Sequence, residues 1–338
     1  MRYLPEIFWA AALTLAYSGF GQTLLEVSSD PLLVRTLYQK PEQIVSGIAA
    51  DGAIGVNADW EAAIFRQEAP ERGWFIEEQR YGADLIQVGL ATRDEKLIAR
   101  GIKIINWGFA KEKTGSFPGT GDPHHSISFF LEAAARSAIL LREAGDERHL
   151  AELRSWEKNI RNAAAALVTP AVFPANRSST MDPYTHRFYL CAAALGEAGS
   201  VLHDEALMQA ASTMATEGIR RQRPDGTNPE KGGFDVNYQA VGALFAIRYL
   251  LVCDDPSLSL KLRAMLAAAI DREREAIGPD GRVNTEGSTR LTSEESRGGR
   301  AKTMDYKTLA QTLVFLAGLS NNPSYSDTAA AIAKNKKW

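Results

Sequence analysis

From about residue 75 onward the apolar positions recur at helical spacing, with almost no alternating β-branched runs. In 124–141, Ile127, Phe130, Leu131, Ala134, Ala138 and Leu141 share one face, while Phe129 and Ile139 add apolar positions on others. A helix apolar nearly all round is surrounded by protein, so this segment reads as an inner helix. The stretch 146–166 differs: a narrow stripe of Leu150, Leu153, Trp156 and Ile160 with charges elsewhere marks an outer helix. The same alternation predicts pairs at 75–91 with 93–111, 124–144 with 146–167, 183–199 with 203–221, 234–252 with 257–276, and 305–319 with 323–335. Turns within pairs are short and carry stop signals: AGD at 144–146, EAGS at 197–200, DDPS at 254–257 and SNNPS at 320–324. Connections between pairs are long, over 112–123, 168–182, 222–233 and 277–304. Short turns alternating with long loops put all the long loops at one end of a helical bundle.

Five such hairpins, with a less regular sixth contribution expected from 41–70, predict an all-α fold: an (α/α)5–6 toroid of inner helices ringed by outer ones. No crisp repeat supports a peptide-binding solenoid. Residues 22–58 read as an irregular approach, so 22–338 is expected to form a single domain. The first apolar run, Ile7 to Tyr17, is too short to span a bilayer. It fits the apolar stretch of a signal peptide over 1–21, with small residues at Ala16, Ser18, Gly19 and Gly21 for cleavage, and predicts a periplasmic or secreted protein. No later segment suggests stable membrane insertion.

Composition narrows the partners. The 338 residues carry a formal charge of −3, which argues against nucleic acid, since that needs a basic field. Cys191 and Cys253 suit neither a zinc knuckle nor a disulfide scaffold and are expected as buried thiols. No motif calls for a metal or another cofactor, and none of the serine-hydrolase, NTPase, dinucleotide or HExxH signatures is present.

The candidate chemistry lies where four long loops meet inner helices. Helix N-termini offer unpaired N–H groups and partial positive charge, which suits anionic or hydroxyl-rich ligands. In DPHHSISFF, Asp122 and Pro123 are expected to cap and begin a helix. His124 and His125 then stand in its first turn, as general base, carboxylate neutraliser or one metal ligand. In MDPYTHRFYL, Asp182 and Pro183 repeat that start and Tyr184, His186 and Arg187 follow. Tyr, His and Arg together suit proton abstraction beside a carboxylate. The third junction, NPEKGGFDVNYQAV, holds Asn228, Glu230, Lys231, Asp235, Asn237 and Tyr238. Asp235 there, with Asn237 and Tyr238, either binds sugar hydroxyls, acts in acid–base work or simply caps the helix. The longest loop has mixed charge and contains Glu286, Arg290, Glu294, Arg297, Lys302, Asp305, Tyr306 and Lys307, which reads as a binding loop or lid. Trp74, Trp107 and Phe117 stand near helix ends, as sugar platforms or as core.

With its paired-helix layout over 75–335, the block GGFDVNYQAVGALFAIRYL, the GSTR segment at 287–290 and the KTMDYKTL block, the chain resembles bacterial (α/α)-toroid carbohydrate-active enzymes, particularly polysaccharide lyases related to alginate and heparin lyases. The resemblance implies an acidic polysaccharide cleaved by β-elimination. It implies His124, His125, Tyr184, His186 and Tyr238 as base and acid, with Asn237, Arg187, Arg290 or a histidine on the uronate carboxylate. Asn228, Glu230, Asp235, Lys302 and Tyr306 complete the expected substrate contacts. A glycoside hydrolase drawing paired carboxylates from Asp122, Glu230, Asp235, Glu286 and Asp305 is the alternative. A non-catalytic saccharide-binding protein of a polysaccharide-export system is the third reading.

Overall fold

The computed structural model of the chain describes residues 23–37, 47–55, 74–169, 183–295 and 301–336, so the expected leader over 1–21 lies outside the described residues. Within them run α1 (Leu24–Ser28), α2 (Pro31–Leu37), a 3-10 turn at Ile76–Arg80, α3 (Tyr81–Thr92), α4 (Glu95–Ala110), α5 (Pro123–Ala144) and α6 (Glu147–Leu167). There follow α7 (Thr185–Leu202), α8 (Glu205–Arg221), α9 (Val236–Val252), α10 (Pro256–Arg274), α11 (Tyr306–Ser320) and α12 (Pro323–Asn335). None of the described helices is long and apolar enough to cross a membrane.

The five hairpin turns share a local logic. Arg93, Gly145, His203 and Asn321 end their helices in the left-handed region. Asp94, Asp146, Asp204, Asp255 and Asn322 begin the next, their side-chain oxygens taking backbone N–H groups of the first turn. Such turns reverse the chain in a few residues and lay α4, α6, α8, α10 and α12 against α3, α5, α7, α9 and α11. One expected stop is corrected. EAGS at 197–200 lies inside α7, where Gly196 and Gly199 admit Tyr249 and Met208 at contact distance rather than ending the helix.

α3, α5, α7, α9 and α11 neighbour one another in that order, and α2 lies between α11 and α3, closing the ring. Among the described residues the sixth inner position is filled by 31–37, and most of 41–70, from which it was expected, lies outside the described residues. Asp30 makes this possible, because its Oδ1 accepts the N–H groups of Leu32 and Leu33 at 2.8 and 3.2 Å and starts a helix that buries Leu33. The described part of 41–70 forms a turn that sets Ile54 against Leu85, Val88, Leu97 and Ile104, outside the ring. α1 seals the end that carries the short turns: Glu143 of α5 accepts the N–H groups of Leu24 and Leu25 at 3.3 and 2.7 Å. The described parts of the long loops lie at the other end, the open end of the ring among the described residues.

Inner helices are buried all round, so their charged residues must pair inside the ring. Arg136 donates to Glu132 at 2.8 Å and to Gln87 at 3.1 Å, and Arg248 donates to the same Glu132 oxygen at 2.9 Å. Glu197 has no hydrogen-bonding partner among the described residues. Burial, reinforced by Glu132, raises its carboxyl well above the usual range, so it stays neutral. Cys191 and Cys253 are free and buried, as expected.

α3 and α4 approach most closely at Gly82 and Gly101, where a Cβ on Gly101 would lie 2.5 Å from the Gly82 carbonyl oxygen. Backbone cannot yield as a side chain does. Gly101→Ala is therefore expected to cost about 1–3 kcal/mol, read as a lowered denaturation midpoint.

Candidate active site

The open end is built around the Glu230 carboxylate, which is completely buried. Its Oε1 accepts the backbone N–H of His186 at 2.8 Å, and both oxygens lie 2.9 Å from His186 Nδ1. Arg290 reaches in from the longest loop and donates to Oε2 at 2.9 Å. The backbone around Glu230 explains the placement. Tyr184 and Glu230 form an antiparallel bridge, Lys231 N donates to Pro183 O at 2.6 Å, and Thr289 Oγ1 donates to Glu230 O at 2.6 Å. That pairing also corrects the expected start of α7. Residues 183 and 184 are held in the bridge, so the helix begins at Thr185 and Tyr184 precedes it; Asp182 lies outside the described residues.

His186 is the hub of an aromatic cluster. Its ring centroid lies 4.8 Å from Tyr238, 5.9 Å from His125 and 6.0 Å from Tyr184. The Arg290 guanidinium stacks 3.5 Å from the centre of Tyr238 and 4.5 Å from that of Tyr184. The Tyr238 hydroxyl accepts from Lys302 Nζ at 2.9 Å. Glu294 ties the loop together, bonded to Arg290, Lys231 and Lys302. Burial would raise its carboxyl, but these three cations outweigh that and hold it at about 2.

His125 stands on the other side of His186. Its Nδ1 lies 3.3 Å from Glu77 Oε2, and its ring meets Phe129 edge-on at 4.8 Å. Asp122 does not cap α5. It takes the left-handed conformation at φ 41°, and its Oδ2 binds Arg187 at 2.8 Å. This is a strained geometry for a residue before proline, and it turns the carboxylate toward α7.

All three junction histidines are neutral at pH 7. Burial, with help from Arg187, brings His124 down to about 4. Burial also depresses His125 to about 3, although Glu77 opposes it. His186 is lowered by burial against the pull of Glu230 in the other direction. With Glu230 accepting from Nδ1, the lone pair of His186 lies on Nε2, which is buried and has no hydrogen-bonding partner among the described residues. A neutral imidazole oriented by a carboxylate has the chemistry required of a general base.

His124, His125, Tyr184, His186, Arg187, Glu230, Tyr238, Arg290 and Lys302 thus gather at one end of the ring. Other candidates are spent elsewhere. Asp235 caps α9 with Oδ1, and its Oδ2 accepts the N–H groups of Arg290 and Leu291 at 2.7 and 2.8 Å. It shapes the loop and has no oxygen left for a ligand. Asn228 is buried against Gln239 and Met265, and Asn237 accepts Asp305 N at 2.7 Å. Tyr306 faces Lys336 at 3.5 Å, away from the histidines. Phe117 is core, while Trp74 and Trp107 meet each other edge-on.

Glu77 and Arg80 join the site without having been among the residues expected there. They sit in FIEEQRYGADL, a junction before the first inner helix that carries the same kind of polar cluster as the other four and was legible on that ground. Among the described residues, metal-ligand spacing occurs on the outer surface, at Glu95, Asp146 and His149. There Arg148 already binds both carboxylates.

No protein-family model and no curated protein sequence matches this chain. Among solved structures, a crystal structure of D-mannose isomerase superimposes on 91% of this chain and 87% of its own, with a TM-score of 0.54 and 12% sequence identity. At that identity the likeness establishes a shared fold, the all-α (α/α) toroid.

Two outcomes test the site's energetics. Replacing Glu230 by Ala leaves Arg290 without its buried partner and is expected to cost about 3–5 kcal/mol, read from urea midpoints. The depressed histidines protonate on unfolding but not when folded below pH 6.5. Stability therefore falls as the pH drops from 6.5 toward 4, by up to about 1.4 kcal/mol per pH unit for each histidine. His124→Gln is expected to flatten that slope, measured as the difference between midpoints at pH 7 and pH 5.

Proposed function

We propose that the protein is a carbohydrate-active enzyme whose chemical step removes a proton from a sugar carbon next to a carbonyl group. The observation that carries this reading is the His186–Glu230 pair. A neutral, buried imidazole presents an unpartnered Nε2, while a carboxylate holds both its Nδ1 and its backbone N–H. Such a base needs a hydrogen-bond donor to receive the charge that develops on the carbonyl oxygen. The Tyr238 hydroxyl, held against Lys302, and the Arg290 guanidinium stand beside the same ring in position to give it.

Charge selects the substrate class. Arg187 is paired with Asp122, Arg290 with Glu230 and Glu294, and Lys231 and Lys302 with Glu294. A neutral sugar can enter without breaking these pairs. The shared toroid of a D-mannose isomerase supports the same class. In this reading the C2 proton of an open-chain aldose passes to His186 and leaves an enediolate. Return of the proton at C1 gives the ketose, and return to the other face of C2 gives the epimer. His125, backed by Glu77, moves protons between the two sugar oxygens.

The second reading is β-elimination from a uronate chain. It is favoured by the Tyr238–His186 contact, the tyrosine and histidine that such a reaction uses as base and acid. It requires the uronate carboxylate to draw Arg187 or Arg290 away from their present partners. Hydrolysis by paired carboxylates has less support, since Asp122, Glu230, Asp235 and Asp305 are each engaged by an arginine, a histidine or backbone N–H groups.

Incubation in D2O with D-mannose, D-glucose, D-fructose and uronate polymers tests this directly. The expected result is deuterium at C1 or C2 of a neutral sugar, with a loss of about 10²-fold or more in His186→Gln. New ultraviolet absorbance from a C4–C5 double bond would select elimination instead. New reducing ends without deuterium or absorbance would refute proton abstraction at carbon.

A further inference from the structure

The ring interior below the histidines carries charge that the proposed reaction does not use. Arg136 is held by Glu132 at 2.8 Å and Gln87 at 3.1 Å, and Gln87 spends its amide on the Ser28 carbonyl at 3.1 Å. Toward the sealed end, then, Arg136 and Gln87 have their partners. Toward the open end the network terminates at Asp84, in the first turn of α3. Asp84 Oδ1 meets Arg136 at a long 3.5 Å, and its Oδ2 accepts nothing among the described residues. Its side chain is 25% exposed while that of Arg136 is 3% exposed, so Asp84 is the accessible edge of the buried network.

Continuity with the histidine layer is direct. The His125 ring contacts Phe129 at 4.8 Å, Arg80 stacks over Phe129 at 5.2 Å, and Phe129 meets Phe245 at 5.4 Å. Arg80 thus stands between Phe129 and Asp84, whose charge acts on it, and a partly exposed ring beside such a pair suits a sugar, whose C–H face packs on the ring while its hydroxyls reach the charges. A carboxylate that retains lone pairs can accept from two neighbouring hydroxyls, and a buried arginine behind it fixes its orientation.

We propose that Asp84, positioned by Arg136, binds hydroxyl groups of a neutral saccharide at the floor of the open interior, with Phe129 as the apolar platform beside it. The site lies below His186 and His125, so the hydroxyls held are those of the end of the sugar away from the reacting carbons. This inference rests on the carbohydrate reading above. It extends that reading to the residue that sets which sugar is accepted.

The test uses the full chain with D-mannose, D-glucose and D-fructose as probes, Asp84→Ala and Asp84→Asn as variants, and both calorimetric binding and deuterium exchange as readouts. Asp84→Asn keeps an acceptor for Arg136 and guards against loss of the fold, with thermal midpoints expected within about 4 °C of the parent. The expected result is Kd and KM raised about tenfold or more in both variants, with kcat changed less, because the lost contact acts equally on ground and transition states. Binding unchanged in both variants, or no binding of any of these sugars to the parent protein, would overturn the inference. Binding that depends on Asp84 without deuterium exchange would uphold it while removing the proposed reaction, so the two can fail separately.

Discussion

A single buried carboxylate governs the open end of this toroid. Glu230 carries one negative charge into a place with no water contact, and the surroundings have to satisfy it. The backbone N–H of His186, the His186 ring and the Arg290 guanidinium do so together. His186 belongs to the second junction and Arg290 to the longest loop, so the carboxylate also sets the docking of the third junction on both. The tautomer of His186 follows from this, and with it the position of the basic nitrogen. Histidine orientation and loop placement are therefore the same interaction seen from two sides.

Charge compensation explains why the site reads as neutral despite its many ionisable groups. The arginines and lysines that reach the histidine layer have carboxylate partners, and Glu294 alone holds three cations. Burial keeps His124, His125 and His186 uncharged at pH 7. A cluster arranged in this way has little surplus attraction for an acidic polymer, and it can polarise a carbonyl through short hydrogen bonds instead. The deeper layer follows the same rule, with Glu132 between two arginines and Glu197 kept neutral next to them. Asp84 is the exception, a charged group with one oxygen unspent.

Much of this was legible from pattern alone. Inner helices betray themselves by being apolar on every face, and Ile127, Phe130, Leu131 and Ala134 of α5 are all buried. Loops of alternating length located the open end, and that placed His124, His125, His186, Tyr238 and Arg290 together. What stayed hidden depended on tertiary partners. The helix over 31–37 is seven residues long and gains its stability from the gap between α11 and α3, which no local signal records. Tyr184 left α7 because a loop more than forty residues away claims its backbone. Asp235 looked like a ligand-binding carboxylate, and its capping role at Oδ1 was readable, but the use of Oδ2 by Arg290 N and Leu291 N was not. Glu77, Arg80 and Asp84 lie in FIEEQRYGADL, which has the polar cluster of the other junctions but no proline, and its one glycine, Gly82, lies inside α3.

The choice between isomerisation and elimination comes down to what happens after the proton leaves carbon. Both reactions begin by placing negative charge on an oxygen beside that carbon, and the roles proposed for His186, Tyr238 and Arg290 fit either beginning. Elimination then needs a leaving group across the adjacent bond and a firm hold on a carboxylate that is already charged in the ground state. The second need competes with Glu230, because any carboxylate drawing Arg290 to itself weakens the contact that also orients His186. Isomerisation makes no such demand, since its charge appears only as the reaction proceeds and is gone when the product forms. A site whose cations are already committed in the resting state suits a charge that is transient, and that is the physical ground for placing the neutral sugar first.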